Sequence, residues 1–240
     1  MTLNIIGTSH IAKESILDVR NAFDGGSIDI LALELDDGRL RAILDRDKLG
    51  SKHLSFSFRD VRNLGVKTYL FARFISWAET YLGRKVGISP GSEMLQAFKL
   101  AKKNNVSVAL VDQDVRITLK KLRGLSWKEY WNFFVDLFKG VLAGFGFISR
   151  KSIPGFEVLH NLEKVPSDDC IEKILLQTKF RYPTIYRVLV SERNRFIARR
   201  IASLQHQNPG AKILAVIGAG HKKEVEHLYN KYMNMDYIKR

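Results

Sequence analysis

Short apolar runs bounded by polar turns recur at four places along the chain and predict four buried strands. They cover residues 3–6, 28–35, 106–111 and 212–217. Continuous apolar runs of this length are typical of parallel strands that are buried on both faces of a sheet. The pattern therefore indicates a sheet enclosed between layers of helices.

Helical spacing of apolar residues follows three of these strands, over residues 12–23, 38–49 and 222–232. A further helix is expected over residues 93–103, with Ser92 as its N-cap. Alternation of strands and helices predicts an α/β fold with a mostly parallel central sheet and crossover helices. Helical insertions at about 57–103 and 115–205 are expected to form a helical cap, so that residues 1–240 make a single domain.

Composition narrows the function classes without choosing one. The 240 residues contain one cysteine and carry a formal net charge of +14. A single cysteine excludes an intramolecular disulfide. The apolar start is too short for a secretory signal, so a cytoplasmic, and optionally membrane-associated, location is expected. The positive charge favours anionic partners, but Lys and Arg are scattered, so no specific nucleic acid is expected as partner.

A long apolar segment, residues 131–148, is interrupted by Asp136 and Lys139 and falls short of a membrane span. Its simplest interpretation is a pair of helices packed over the core. Peripheral contact with a membrane is the alternative. Its aromatic residues also suit a mobile helical cap over a site.

Side chains suited to chemistry collect where the predicted strands end. The first strand runs into Gly7 and His10, the fourth into Gly218 and His221, and the third into Asp112, with Asp114 just beyond. The carboxyl ends of parallel strands meet at one edge of a sheet, where ligands bind in such folds. Imidazole and carboxylate groups are ligand types of a hydrolytic divalent-metal site. Each group alone has a structural alternative, such as Asp114 serving only as a helix N-cap.

Two charged positions stand out because apolar residues surround them. Glu34 interrupts the second strand, and an unpaired buried carboxylate requires a cation, a donor or a raised pKa. Glu192 and Arg193 lie in the apolar stripe of a helix expected over residues 185–204. A salt bridge from Arg193 to a carboxylate of the sheet and a catalytic role are equally compatible with this pattern.

Six blocks, in a fixed order along nearly the whole chain, resemble the TraB/PrgY family, which is related to the TIKI metalloproteases and more distantly to erythromycin-esterase-like and ChaN-like folds. Gln113 departs from the arginine that we expect in the family at its position. The blocks are Gly7–His10 with Lys13–Ser15, Leu33–Asp36 with Arg39, Pro90–Met94, Asp112–Asp114 with Thr118–Lys120, Glu192–Asn194, and Gly218–His221.

The resemblance implies a metal-dependent, peptidase-like hydrolase. Matched by position, His10, His221 and Glu34 are the implied metal ligands, with Mn²⁺, Co²⁺ or Zn²⁺ as the ion. Glu34 would be either the third ligand or the general base that activates water. The supporting residues are Arg39, Glu93, Arg193 and, less directly, Asp112, Asp114 and Glu192. In this scheme Arg193 steadies an oxyanion and Glu93 orients a ligand histidine.

A binding module without catalysis is the alternative function. The same cavity could capture a peptide or pheromone-like ligand, and nothing in the sequence separates this function from hydrolysis. The expected partner is a peptide or small-molecule substrate in either case. The oligomeric state is left open, with a homodimer as one option.

Overall fold

Four parallel strands form the central sheet, in the order β1-β4-β2-β3. The computed structural model describes residues 3–9, 13–49, 69, 91–144 and 166–238. The strands are β1 (Leu3–Thr8), β2 (Ile30–Leu33), β3 (Ser107–Leu110) and β4 (Ile213–Gly218). This arrangement confirms the predicted α/β class, and each strand lies within two residues of an apolar run singled out in the sequence.

Side chains that alternate along each strand separate two cores on opposite faces of the sheet. Ile213, Ala215 and Ile217 of β4 pack on one face, and Leu214 and Val216 pack on the other. Because helices cover both faces of the sheet, the strand sequences are largely continuous apolar runs rather than alternations of apolar and polar residues. The sheet is thus the middle layer of three.

Helices supply the outer layers and begin close to the predicted positions. They are α1 (Lys13–Asp24), α2 (Asp37–Leu49), α3 (Ser92–Lys103), α4 (Val115–Leu122), α5 (Trp127–Gly144), α6 (Asp168–Arg181), α7 (Pro183–Tyr186), α8 (Glu192–Gln207) and α9 (Ala219–Ile238). The first core lies between the sheet and helices α8 and α9, and the second between the sheet and helices α1 and α3.

Two predicted helix starts have different outcomes. Asp114 caps α4, since its side chain accepts a hydrogen bond from the Arg116 backbone N–H at 2.7 Å. The prediction that Ser92 caps α3 is wrong. Gly91 is the cap residue, with a left-handed φ of 84°, and no side chain caps the helix. The helix therefore begins at Ser92 itself rather than after it.

A π-helical turn, Arg187–Ser191, joins α7 to α8 and was not expected from the sequence. A π turn contains more residues per turn than an α-helix. The side chains that precede it are therefore rotated about the helix axis relative to Glu192, and apolar residues at 3.6-residue spacing do not all lie on one face. Val188 of this turn packs with Leu122 and Leu125 in a third, smaller core. The π turn therefore joins the helical insertion to the sheet-packed helix α8.

Polar contacts hold α5 against the chain between α6 and α7. Arg181 donates two hydrogen bonds to Asp136, each 2.5 Å long, and the Tyr182 hydroxyl donates a third of 2.6 Å. Burial alone would raise the pKa of Asp136, but these hydrogen bonds and the Arg181 charge lower it. Glu129 accepts from the Thr184 backbone N–H at 2.7 Å.

One side of α5 presents aromatic side chains to solvent. Trp131, Phe134 and Phe138 are more than 60% exposed, as is Trp127 one turn earlier. Tyr130 and Phe133 pack against the third core. Residues 131–144 belong to one helix, and residues 145–148 lie outside the described residues, so a pair of helices packed over the core stays a prediction. The mobile cap and the peripheral membrane contact stay predictions.

Within the described ranges, no helix has the length and apolarity needed to cross a membrane. The structure describes the predicted insertions at residues 69, 91–103, 115–144 and 166–205. These residues are helical apart from short connections. The single-domain organisation of residues 1–240 stays a prediction.

Replacing Gly91 by alanine should destabilise the protein more than the same change at Gly210. Both glycines have positive φ, 84° and 81°, so each alanine should cost about 1 kcal/mol of backbone strain. At Gly91 the new Cβ would also lie 3.1 Å from Ile43 Cδ1, whereas nothing lies within 4 Å at Gly210. Urea unfolding should show about 1 kcal/mol of additional loss for Gly91→Ala. Equal losses for the two variants would contradict the packing of Gly91 against α2.

Candidate functional site

Three neighbouring strands deliver polar side chains to one edge of the sheet. Glu34 directly follows β2, Asp112 comes two residues after β3, and His221 is the third residue of α9, which follows β4. Strand pairing continues past the strand ends, since the Asp112 backbone N–H donates to the Leu35 carbonyl at 3.3 Å. This backbone pairing fixes where Glu34 and Asp112 project.

Arg193 of α8 connects these side chains. Its Nε donates to Asp112 Oδ1 at 3.1 Å, and its Nη2 donates to Asp112 Oδ2 at 2.6 Å and to Glu34 Oε1. Its Nη1 donates to the Leu189 carbonyl at 3.3 Å and lies 3.4 Å from His221 Nε2. A guanidinium has five N–H donors; four of them bind these oxygens, and the fifth approaches the His221 ring.

The contacts of Arg193 explain its charge state in a buried position. Burial alone would lower the pKa of Arg193, but the charges of Glu34 and Asp112 and their hydrogen bonds raise it well above its usual range. The guanidinium is a permanent cation in this environment. Removing it would leave two buried carboxylates without their principal counter-charge.

The buried Glu34 carboxylate contacts both a cation and a hydrogen-bond donor. These are two of the three ways of stabilising it that were expected, the third being a raised pKa. Its side chain is 2% exposed. One oxygen contacts Arg193, and the other accepts the Gly218 backbone N–H at 2.5 Å. A Cβ at position 218 would lie 3.4 Å from that oxygen and 3.4 Å from the His221 ring. Glycine therefore allows the backbone to approach the carboxylate.

Asn194 determines how the His221 ring is oriented. Asn194 Oδ1 lies 2.5 Å from His221 Nδ1. An amide oxygen only accepts, so this contact requires a proton on Nδ1, and in a neutral ring Nε2 then carries the lone pair. Nε2 faces Glu34 Oε1 at 3.5 Å. In the neutral tautomer the ring directs an unprotonated nitrogen toward a carboxylate oxygen.

Strand β1, which runs into Gly7 and His10, lies beside strand β4, which runs into Gly218 and His221. Strand β1 pairs with β4 so that Thr8 is in register with Gly218. The Ser15 hydroxyl binds the backbone of Ser9 twice, accepting from its N–H at 2.9 Å and donating to its carbonyl at 3.2 Å. His10, the next residue, lies outside the described residues.

The remaining candidate residues take different positions. Arg39 Nη1 donates to Asp112 Oδ2 at 3.1 Å and so joins the outer side of the cluster. Glu93 is buried in the first turn of α3. Asp114 is exposed and caps α4.

Glu192 corrects one expectation, because it does not face the sheet. It forms ion pairs with Lys121 at 2.6 Å and with Arg187 at 3.7 Å, on the outer side of the helix. Arg193, the next residue along the same helix, faces the sheet instead.

An amphipathic cavity of about 300 Å³ borders the cluster. Asn194, the partner of the His221 ring, and Gly220 line it. Its charges come from Lys179 and Lys223 and from Asp168, Glu172 and Glu224. Its apolar lining comes from Ile171, Leu175, Leu176 and Val190. The cavity thus combines an apolar wall with the residue that orients His221.

A search of the described residues found no group of three or more His, Cys, Asp or Glu side chains arranged to hold a metal ion. His221 and Glu34 are two donors of the three that the resemblance implies, and the third, His10, lies outside the described residues.

A family model described as the TraB/PrgY/gumN family matches residues 2–240. The chain belongs to this family. This TraB-family chain is 30% identical over 231 residues to an uncharacterized protein of Methanocaldococcus jannaschii, and the matched region covers 96% of the chain and 54% of that protein. The chain is 22% identical over 253 residues to a TraB domain-containing protein of Homo sapiens, and the matched region covers 98% of the chain and 64% of that protein. The same values hold for a TraB domain-containing protein of Mus musculus.

The TraB-family chain therefore spans between about half and two thirds of the length of the curated relatives it matches.

Sequence reasoning missed two of its site features, the roles of Asn194 and of the Gly218 N–H. Asn194 belongs to the Glu192–Asn194 block, but only the helix geometry shows that it meets the His221 ring.

Removing the Arg193 charge should destabilise this TraB-family chain strongly. Arg193→Met leaves Glu34 buried without its cation, and breaking a buried pair in this way costs about 3–5 kcal/mol. Arg200 is exposed on the same helix, so Arg200→Met should change the free energy of unfolding by less than about 0.5 kcal/mol. Urea unfolding at neutral pH measures both variants.

A double variant separates charge from packing at Arg193. Asp112 keeps Arg39 when Arg193 is replaced, so the uncompensated charge is mainly that of Glu34. Glu34→Gln in the Arg193→Met background should recover at least about 1 kcal/mol. No recovery would show that Arg193 stabilises the fold through packing rather than charge.

Proposed function

We propose that this chain is a metal-dependent hydrolase that acts on a peptide or a related small amide or ester. His221 and Glu34 would hold the ion, with His10 as the third donor. The observation that carries the proposal is the 3.5 Å separation of His221 Nε2 from Glu34 Oε1 at the carboxyl edge of a parallel sheet.

The separation of these two atoms fits shared coordination. Protein nitrogen and oxygen ligands lie about 2.1 Å from Zn²⁺, so two ligands at a tetrahedral angle are about 3.4 Å apart. A neutral imidazole and a carboxylate are also a suitable donor set for Mn²⁺ and Co²⁺. The donor chemistry of His221 and Glu34 therefore fits such an ion.

A divalent ion at this position would supply Lewis acidity, which activates water and polarises a carbonyl. The chain contributes the orientation of both donors. Asn194 holds the His221 ring in the tautomer that metal binding requires. Arg193 and the Gly218 N–H hold the two oxygens of Glu34.

The contacts of Arg193 favour a positioning role over the oxyanion role that the resemblance implied. Four of its five N–H donors already bind oxygens, those of Glu34, Asp112 and the Leu189 carbonyl. An oxyanion could meet the fifth, which approaches His221 Nε2, but most of the guanidinium is committed to the carboxylates. We therefore assign Arg193 to holding Glu34 and Asp112 in place.

The 300 Å³ cavity beside Asn194 supports a substrate with an apolar side chain. Its size is at the lower limit of small-ligand sites and suits one or two residues of a peptide. Lys223 pairs with Asp168 at 3.4 Å, so Lys179 could meet a carboxylate of the substrate, and Glu172 or Glu224 an amine. The relatives' names specify no substrate.

Metal content is the first test. Wild-type protein incubated with Mn²⁺, Co²⁺ or Zn²⁺ and then desalted should retain about one equivalent of one of them, measured by elemental analysis. His221→Ala and Glu34→Gln should each retain much less, because each removes a donor. His227 is exposed on the same helix as His221, so His227→Ala should retain the wild-type amount.

Turnover of a peptide and ester library should fall in the same two variants. Retained metal with lost turnover in Glu34→Gln would make Glu34 the general base instead of a ligand. Wild-type protein that neither binds one of these ions nor turns over any substrate would overturn the proposal. Capture of a peptide in the same cavity would then become the better account.

Asn194 provides a second test that leaves both proposed donors intact. Asn194→Ala should weaken metal affinity about 10- to 100-fold, as loss of a ligand-orienting partner commonly does. Asn194→Asp keeps an acceptor for the Nδ1 proton and should restore most of the affinity. An unchanged affinity in Asn194→Ala, measured by competition with a chelating dye, would contradict the orienting role of Asn194.

A further inference from the structure

Four cationic side chains converge on a second cavity, of about 540 Å³, on the outer side of α8. Lys121 of α4, Arg187 of the π turn, and Arg195 and Arg199 of α8 line it, together with Glu192 and Phe196. These charged residues amount to a formal charge of +3. The volume lies within the usual range for small-molecule sites.

The acidic residue in the cavity does not neutralise all of these cations. Glu192 pairs with Lys121 and Arg187. Arg195 contacts the Ser191 hydroxyl at 3.3 Å, and Arg199 lies over the Tyr232 ring at 5.7 Å. In the described part of the chain, neither of these two arginines pairs with a carboxylate.

Mutual repulsion among these cationic side chains destabilises the folded protein unless a negative charge offsets it. Arg195 and Arg199 are four residues apart on one helix, a spacing at which like charges destabilise the helix by a few tenths of a kcal/mol. Lys121 comes from a different helix and adds a further positive charge to the same cavity. A bound anion would relieve this repulsion.

We propose that this cavity binds a phosphorylated small molecule. Guanidinium groups form paired hydrogen bonds with phosphate oxygens, and a phosphate group carries close to two negative charges at neutral pH. A single carboxylate would leave most of the +3 charge uncompensated. Phe196, 37% exposed in the cavity wall, offers an apolar surface for the organic part of the ligand.

The phosphate cavity lies next to the cluster around Arg193 without including it. Two lining residues, Gln113 and Glu192, are the chain neighbours of Asp112 and Arg193. The Gln113 backbone N–H donates to Asp112 Oδ1 at 2.8 Å. A ligand in the cavity would therefore contact Gln113, which is hydrogen-bonded to the cluster around Arg193. The inference does not depend on the proposed hydrolase activity.

Isothermal titration calorimetry with inorganic pyrophosphate, at ionic strength held constant with potassium chloride, tests the site. Wild-type protein should bind saturably with a stoichiometry of one. Arg195→Gln with Arg199→Gln should weaken binding by about tenfold or more, because two charge-assisted contacts are lost. Lys102→Gln with Lys103→Gln removes the same charge from the exposed end of α3 and should leave the affinity unchanged.

Glu192→Gln is a test in the opposite direction. Glu192 competes with the anion for Lys121 and Arg187, so its neutralisation should tighten pyrophosphate binding by about threefold. Equal weakening by the two double variants, or a looser complex in Glu192→Gln, would overturn the site.

Two comparisons fix where pyrophosphate binds and which anion the site prefers. His221→Ala should bind it like wild type, whereas loss of binding in this variant would place the anion at the proposed metal centre and overturn the inference. Citrate, a carboxylate anion of similar charge, should bind more weakly. Citrate binding as tight as that of pyrophosphate would overturn the assignment to phosphate.

Discussion

The buried pairing of Arg193 with Glu34 and Asp112 is the constraint on which the rest of the site depends. Two carboxylates at the end of a buried sheet are unfavourable without a cation. Arg193 supplies that cation from a helix that is far from both in sequence. Because the guanidinium is planar and its five donors are fixed in direction, it also sets the distance between the carboxylates.

The same pairing links the layers of the fold. Helix α8 packs on one face of the sheet through Ile197 and Ile201. Arg193 lies one turn before Ile197 and reaches over the sheet edge to Glu34 and Asp112, which follow β2 and β3. Asn194, the next residue, contacts the ring of His221. One turn of α8 therefore positions side chains that follow three different strands.

Much of the architecture could be predicted from the chain because it depends on local patterns. The runs at 30–33 and 213–217 contain only apolar residues, so they predict strands buried on both faces, and their order with the helices predicts a parallel sheet. Glu34 stood out because a carboxylate in such a run needs a partner. The identity of that partner depends on tertiary packing, and the sequence left a salt bridge and catalysis equally open for Arg193.

The features that escaped prediction arise from deviations in helix geometry and from contacts distant in sequence. The π turn at Arg187–Ser191 alters the helical spacing, so Glu192 faces out toward Lys121 although its apolar neighbours suggested otherwise. The exposed arginines of α8 resembled ordinary solvated charge. Only the approach of Lys121 from another helix shows that they line a cavity.

The central claim of this account is that Asn194 fixes His221 with its Nε2 lone pair directed at Glu34. The most direct measurement is the tautomer of His221, by long-range proton–nitrogen correlation NMR on protein labelled with ¹⁵N histidine, using His221→Ala to assign the signals. The account predicts that Nδ1 carries the proton near neutral pH and that Nε2 shifts when Zn²⁺ is added. A proton on Nε2 in the metal-free protein, with no change on addition of the ion, would contradict it.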